Sequence, residues 1–361
     1  MIIAQASSRE PDSTSGEPRA PANPEPSPNP GETPGQEESS EAQKALEQTA
    51  EEAEKSRTVT SDVEQAMVLI GENRLQVEVT ETYAHFSSNQ LFIDGFAIVP
   101  IFTVGDINIE RIRRDIFITQ FAARYRMTNR LQLELRIPYS IIFARTSIAA
   151  QSNVEDAAIA PSEETFAKSA GMGDIETTAS FQLLTEQVGR PGILVGLGLR
   201  LRTGRDFFET SDPVSDPPIG SGYNGLIGSI SLVKTADPAV LFGSLSYVKA
   251  FPRNDVLFLN NETSEAFQVD FDPGDSIRWG MGLAYALNFR LTLSLQFSQA
   301  ITFPSHLDGR KNINSFGNAI SMRIGGVWRV NDITSIDVGA SPGFSLDAPD
   351  IRFDIRVPYR F

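Results

Sequence analysis

The sequence predicts an all-β fold: a transmembrane antiparallel up-and-down β-barrel of about 12 strands, with a short N-terminal helical segment. Three observations predict it. Apolar and polar residues alternate over long stretches from residue 74 onward. The links between those stretches are short and long in turn. The chain ends in an aromatic residue after an alternating final stretch.

The alternation is clearest at Leu131, Leu133, Leu135, Ile137, Tyr139, Ile141 and Phe143, which share one face, with Gln132, Glu134, Arg136 and Ser140 on the other. A run of about 13 residues exceeds the usual 5–6 of a strand in a soluble domain. Twelve such segments fall near 74–86, 114–127, 131–144, 173–185, 191–203, 221–234, 239–251, 274–288, 290–302, 316–330, 333–341 and 350–361. Those at 221–234 and 239–251 alternate less cleanly. The short links are Thr128-Asn129-Arg130, 186–190, 235–238, Asn288-Phe289 and Asn331-Asp332; the long ones are 87–113, 145–172, 204–220, 252–273, 303–315 and 342–349. Short periplasmic turns and longer external loops are the mark of an outer-membrane barrel. Both ends of the barrel segment then lie in the periplasm. Val357, Tyr359 and Phe361 form the alternating terminal signature read by barrel-assembly machinery. Tyr125, Tyr139 and Trp328 fall at predicted strand ends, as aromatic girdles do.

Composition narrows the function. The formal net charge of −15 over 361 residues argues against nucleic acid as a partner. There is no Cys and there are two His, His85 and His306, so thiolate chemistry and a multi-His metal site are excluded; no metal and no cofactor is expected. Catalysis would need a nucleophile and base in reach, for which His85 and His306 are the only imidazoles, so no enzyme is expected. No run of about 18 apolar residues occurs, which leaves a barrel untouched.

Before the barrel, residues 1–40 are rich in Pro, Ser, Glu and Gly and read as disordered. Ala4-Gln5-Ala6 fits the end of a secretory signal peptide or is an arbitrary Ala-rich stretch. Residues 41–57 read as a periplasmic helix, either a weak coiled coil or a solvated spacer. Residues 58–73 hold a second helix. Ser61 and Glu64 have capping-box spacing, Val63, Ala66, Met67 and Ile70 make one apolar face, and Gly71 follows as a C-cap. Residues 74–361 are the barrel.

If the apolar face meets lipid, the other face lines the lumen, because charge in hydrocarbon costs about 2–4 kcal/mol per residue. That face carries Arg124, Arg126, Arg136, Arg200, Arg202, Arg323, Arg329, Arg352, Arg356 and Arg360, with Glu78, Glu134, Glu176 and Asp354 as counter-charges. The arginines either pair across the barrel and hold it rigid, or form a cationic constriction that selects anions. The long loops are acidic (Asp206, Glu209, Asp212, Asp216, Asp270, Asp272, Asp275) and read chiefly as solvated loop.

Gly171-Met172-Gly173-Asp174-Ile175-Glu176 before a strand, Ile137-Pro138-Tyr139, and Thr203-Gly204-Arg205-Asp206 after a strand resemble the bacterial outer-membrane barrel family named for phenol-degradation operons. Within that group, residues 72–140 resemble the functional-amyloid export channel: a first strand, a hydrophobic loop like 91–96, a charged segment like 111–115, and a Leu-Gln-Leu-Glu strand. That resemblance implies a homotrimer of barrels. Each would have a periplasmic coiled coil and a plug helix, here carrying Val63, Ala66, Met67 and Ile70. It implies an outer-membrane channel, gated by that helix, exporting an unfolded polypeptide such as amyloid subunits. The alternative is an uptake channel for small hydrophobic or aromatic solutes. In either case outer-membrane lipid is the surrounding partner.

Overall fold

The computed structural model describes residues 74–87, 91–93, 96–98, 109–148, 163–209, 216–259, 266–312 and 315–361. The segments 1–40, 41–57 and 58–73, with Val63, Ala66, Met67 and Ile70, lie outside the described residues.

The wall is built from β1 (Leu75–Phe86), β2 (Ile109–Arg126), β3 (Leu131–Ile148), β4 (Glu163–Met172), β5 (Ile175–Leu184), β6 (Gly192–Leu201), β7 (Gly225–Ala236), β8 (Ala239–Ala250), β9 (Ser276–Ala286), β10 (Leu291–Thr302), β11 (Gly317–Arg329), β12 (Ser335–Pro342) and β13 (Ile351–Arg360). Each pairs antiparallel with its neighbour, and β13 pairs with β1 from Arg360 opposite Gln76 to Ile351 opposite His85. The sheet is therefore closed and has no free edge around its waist.

β4 and β5 share one position in the wall, which makes twelve. β3 pairs with β5 over Leu131–Arg136 and with β4 over Tyr139–Ile148. The break lies at Pro138, which has no N–H to give the ladder. Gly173 closes the gap by donating its N–H to the Pro138 carbonyl at 2.9 Å. A Cβ on Gly173 would stand 3.1 Å from the Pro138 ring, so the crossing is tight.

Burial along the strands is inverted relative to a soluble protein. Gln132 and Glu134 are 4% and 8% exposed, whereas Leu133 and Leu135 are 40% and 42% exposed. The apolar face looks outward all the way round. It carries aromatic clusters such as Tyr83 with Phe117, Trp279 with Phe297, and Tyr359 with Phe361. Only contact with hydrocarbon makes such a surface favourable. Glu81 breaks the outward pattern and accepts a hydrogen bond from the Thr119 hydroxyl at 3.0 Å.

Three of the short turns are closed by side-chain oxygens that take up two free N–H groups each. Thr128 Oγ1 accepts from Arg130 and Leu131, Asn288 Oδ1 from Arg290 and Leu291, and Asn331 Oδ1 from Ile333 and Thr334. At the other end a small sheet of Arg253–Leu259, Ala266–Asp272, His306–Leu307 and Arg310–Lys311 rises from the loops. Val256, Val269 and Phe271 form its core, with Phe208 and Leu307 against them.

Candidate functional site

The inward face of the wall builds the site. A chain of alternating charges crosses eight consecutive wall strands, from β6 round to β11. Arg200 lies 2.5 Å from Glu176, and Glu176 lies 3.8 Å from Arg136. Arg136 donates to Glu134 at 2.6 Å. Arg124 donates to Glu134 at 3.4 Å and to Glu78 at 2.9 Å. Arg356 follows at 3.7 Å from Glu78 and 3.9 Å from Asp337. Arg323 ends the chain, donating to Asp337 at 2.7 Å and Asp354 at 2.6 Å. Period two on neighbouring antiparallel strands stacks these residues side by side, and each cation faces a carboxylate on the next strand.

The remaining four strands, β7 to β10, present a neutral wall of Ser244, Ser294, Gln296 and Ser298. Arg278 is their only charged side chain among the described residues that line the cavity. Phe242 lies across this wall. Gly282 makes room for it, since a Cβ there would meet the ring at 2.3 Å. Val233, Val240 and Ala284 pack around it.

At the long-loop end the segments 202–209 and 216–224 turn into the barrel. Ile219 is buried on lumenal Ala84, Phe86, Ile116 and Ile142, with Ile118 beside them. Asp174 anchors both segments, accepting from the backbone N–H groups of Thr203 (3.2 Å), Gly204 (3.0 Å) and Ser221 (2.7 Å), and from the Ser221 hydroxyl. Asp206 is fully buried and holds Arg253 at 2.7 Å and Arg202 at 3.1 Å. What remains open is a cavity of about 550 Å³. Its apolar lining falls into two separate groups, Ile118 with Ile219 at the long-loop end and Phe242 with Val327 towards the short turns.

Of the inward residues read from the sequence, Glu78, Arg124, Arg136, Glu176, Arg200, Arg323, Arg352, Asp354, Arg356 and Arg360 line the cavity. Glu134 sits within the belt. Arg126 is half-buried at the short-turn rim, and Arg329 pairs there with Asp332 at 3.2 Å. Arg202 stands beyond the end of β6 and serves the loop. Val357, Tyr359 and Phe361 face outward. His306 lies in the loop sheet, and His85 faces outward against Asp115 at 2.8 Å. Sequence reasoning missed Asp337, Phe242 and Ile219. Asp337 was visible as an inward position on its strand. Ile219 has no strand period to reveal it.

No family model matches the chain. Among solved structures it is similar to the COG4313 outer membrane channel from Pseudomonas putida F1, at 12% identity and a TM-score of 0.55, covering 81% of this chain and 97% of that one. More distant are a Pseudomonas aeruginosa FadL homologue (10% identity, TM-score 0.40, 80% and 90% covered) and the Ralstonia pickettii toluene transporter TbuX (10%, 0.37, 81% and 90%). The chain thus has the fold of an outer-membrane channel barrel.

Proposed function

We propose that the protein is a bacterial outer-membrane channel for the uptake of small hydrophobic or aromatic compounds, with its short turns in the periplasm. One observation carries this reading: the lumen holds a cavity of about 550 Å³ with apolar side chains towards both ends, around Ile219 and around Phe242, and charges already paired with one another between them. That volume lies within the range of small-molecule sites. The paired belt keeps polar walls satisfied without binding a solute tightly. The family resemblance of the 171–176 and 203–206 motifs supports the same class.

The test is single-channel conductance in a planar bilayer, comparing the full chain with one beginning at Glu72, together with flux of toluene and benzoate into proteoliposomes. Uptake predicts small, equal conductances and measurable aromatic flux. A silent full chain and an open shortened one, without aromatic flux, would overturn it in favour of polypeptide export gated by residues 58–73.

A further inference from the structure

The outward face carries a cationic cluster where the apolar band stops. On β3 the outward residues run apolar from Leu131 to Phe143, and the next outward residue is Arg145. On β2 the band reaches Phe117 and is followed by Asp115 and Arg113. On β4 it runs through Met172 and Ala170 to Lys168. The register sets Arg113 directly opposite Arg145, and Lys168 opposite Phe143, one outward step away. All three cations are exposed.

Like charges facing across a strand pair repel. Among the described residues no carboxylate forms an ion pair within 4 Å of Arg113, Arg145 or Lys168, and only Asp115 offers Arg145 a longer-range attraction. The nearby Asp115 is engaged by Tyr83 at 2.7 Å and His85 at 2.8 Å. Glu164 is exposed one step farther out. Aromatic faces position the cations instead: the Arg145 guanidinium lies 4.6 Å from the Phe166 ring centroid and the Lys168 ammonium 5.3 Å from that of Phe143. Cations seated over rings at the end of an apolar band hold their charge at the level of the membrane surface.

We infer that Arg113, Arg145 and Lys168 bind the phosphate-bearing headgroup of an outer-leaflet glycolipid. Its acyl chains would lie along Phe117, Phe143 and Phe121. Two guanidinium forks and an ammonium match a phosphate, and the apolar run below matches the chains attached to it. The inference rests on the membrane orientation proposed above and is independent of what passes through the lumen.

The full chain in detergent is titrated with diphosphorylated lipid A, with the same lipid stripped of phosphate, and with inorganic phosphate. The readout is the temperature at which the barrel unfolds in heat-modifiability gels. The phosphorylated lipid is expected to raise that temperature at low micromolar concentration, the other two not. The R113Q/R145Q/K168Q variant is expected to need at least tenfold more lipid, while R310Q/K311Q in the loop sheet behaves as wild type. Without lipid the triple variant should unfold no earlier than wild type, because repulsion has been removed. If it fails to fold, R113Q and K168Q alone serve in its place. Equal stabilisation by the stripped lipid, equal stabilisation by inorganic phosphate, or an unchanged lipid requirement in the variants would each overturn the inference. Aromatic flux unaltered in the variants keeps the two questions separate. Absent flux in the wild type would count against the uptake reading alone.

Discussion

Arg323 lies against two glycines. A Cβ on Gly325 or Gly339 would meet its guanidinium at about 2.4–2.5 Å. The inward positions beside it are therefore kept empty so that one arginine can reach Asp337 and Asp354 together. Removing one member of a buried ionic group leaves its partners uncompensated, at a cost of about 3–5 kcal/mol. Arg323→Gln is expected to lower the heat-modifiability midpoint clearly, and Gly339→Val to do so by displacing the same guanidinium. Asp206 plays the corresponding part in the loop, where its carboxylate also caps the N–H groups of Phe208 and Glu209. Asp206→Ala should leave the barrel folded and expose 202–209 and 216–224 to limited proteolysis. An unchanged cleavage pattern would count against this anchoring.

At the scale of elements, β8 and β9 are joined by Asp275. Its carboxylate accepts from the Ala250 N–H at 3.0 Å, the Tyr247 hydroxyl at 2.5 Å and Lys249 at 3.2 Å. Partial burial opposes its ionisation, but these donors outweigh it and hold the Asp275 carboxyl below the usual carboxylate range. A carboxyl whose folded value is depressed stabilises fully above its unfolded value, about 3.9, and loses that contribution as pH falls through the folded value. Resistance of 252–259 and 266–275 to pepsin should therefore fall below about pH 4 in the wild type. Asp275→Asn should start lower and show a flatter decline.

The same scale shows what was legible in advance. The wall strands declare themselves through period two, because lipid outside and charge inside leave no other placement for Leu133 beside Glu134. β4 did not, since Glu163–Met172 offers Phe166 and little else of apolar bulk. Tyr139, expected at a strand end, stands mid-strand because β3 continues to Ile148. The belt was legible as a set of inward arginines, and its pairing followed only from register. The loop acids Asp206, Asp216 and Asp275, read chiefly as solvated, are held in ion pairs. Loop folding depends on contacts such as Ile219 on Phe86 that no local pattern announces.

For the whole molecule, the cavity gathers eight arginines and five carboxylates. An excess of fixed positive charge in a narrow lumen raises the local concentration of anions. Reversal potentials across a tenfold KCl gradient should show a preference for chloride, and Arg278→Gln should weaken it. A cation preference would contradict the charge count. Conductance should also respond to the inward segment. Ile219→Ala removes an anchor worth about 2–5 kcal/mol, and larger, noisier currents are expected.

The wall is also of unequal height. β2 and β3 have 18 residues each, while β6 has 10. At about 3.4 Å per residue and the usual tilt, the difference raises one side of the rim roughly 20 Å above the other. Along the described strands the wall is thus highest at β2 and β3, like the raised lip of a jug.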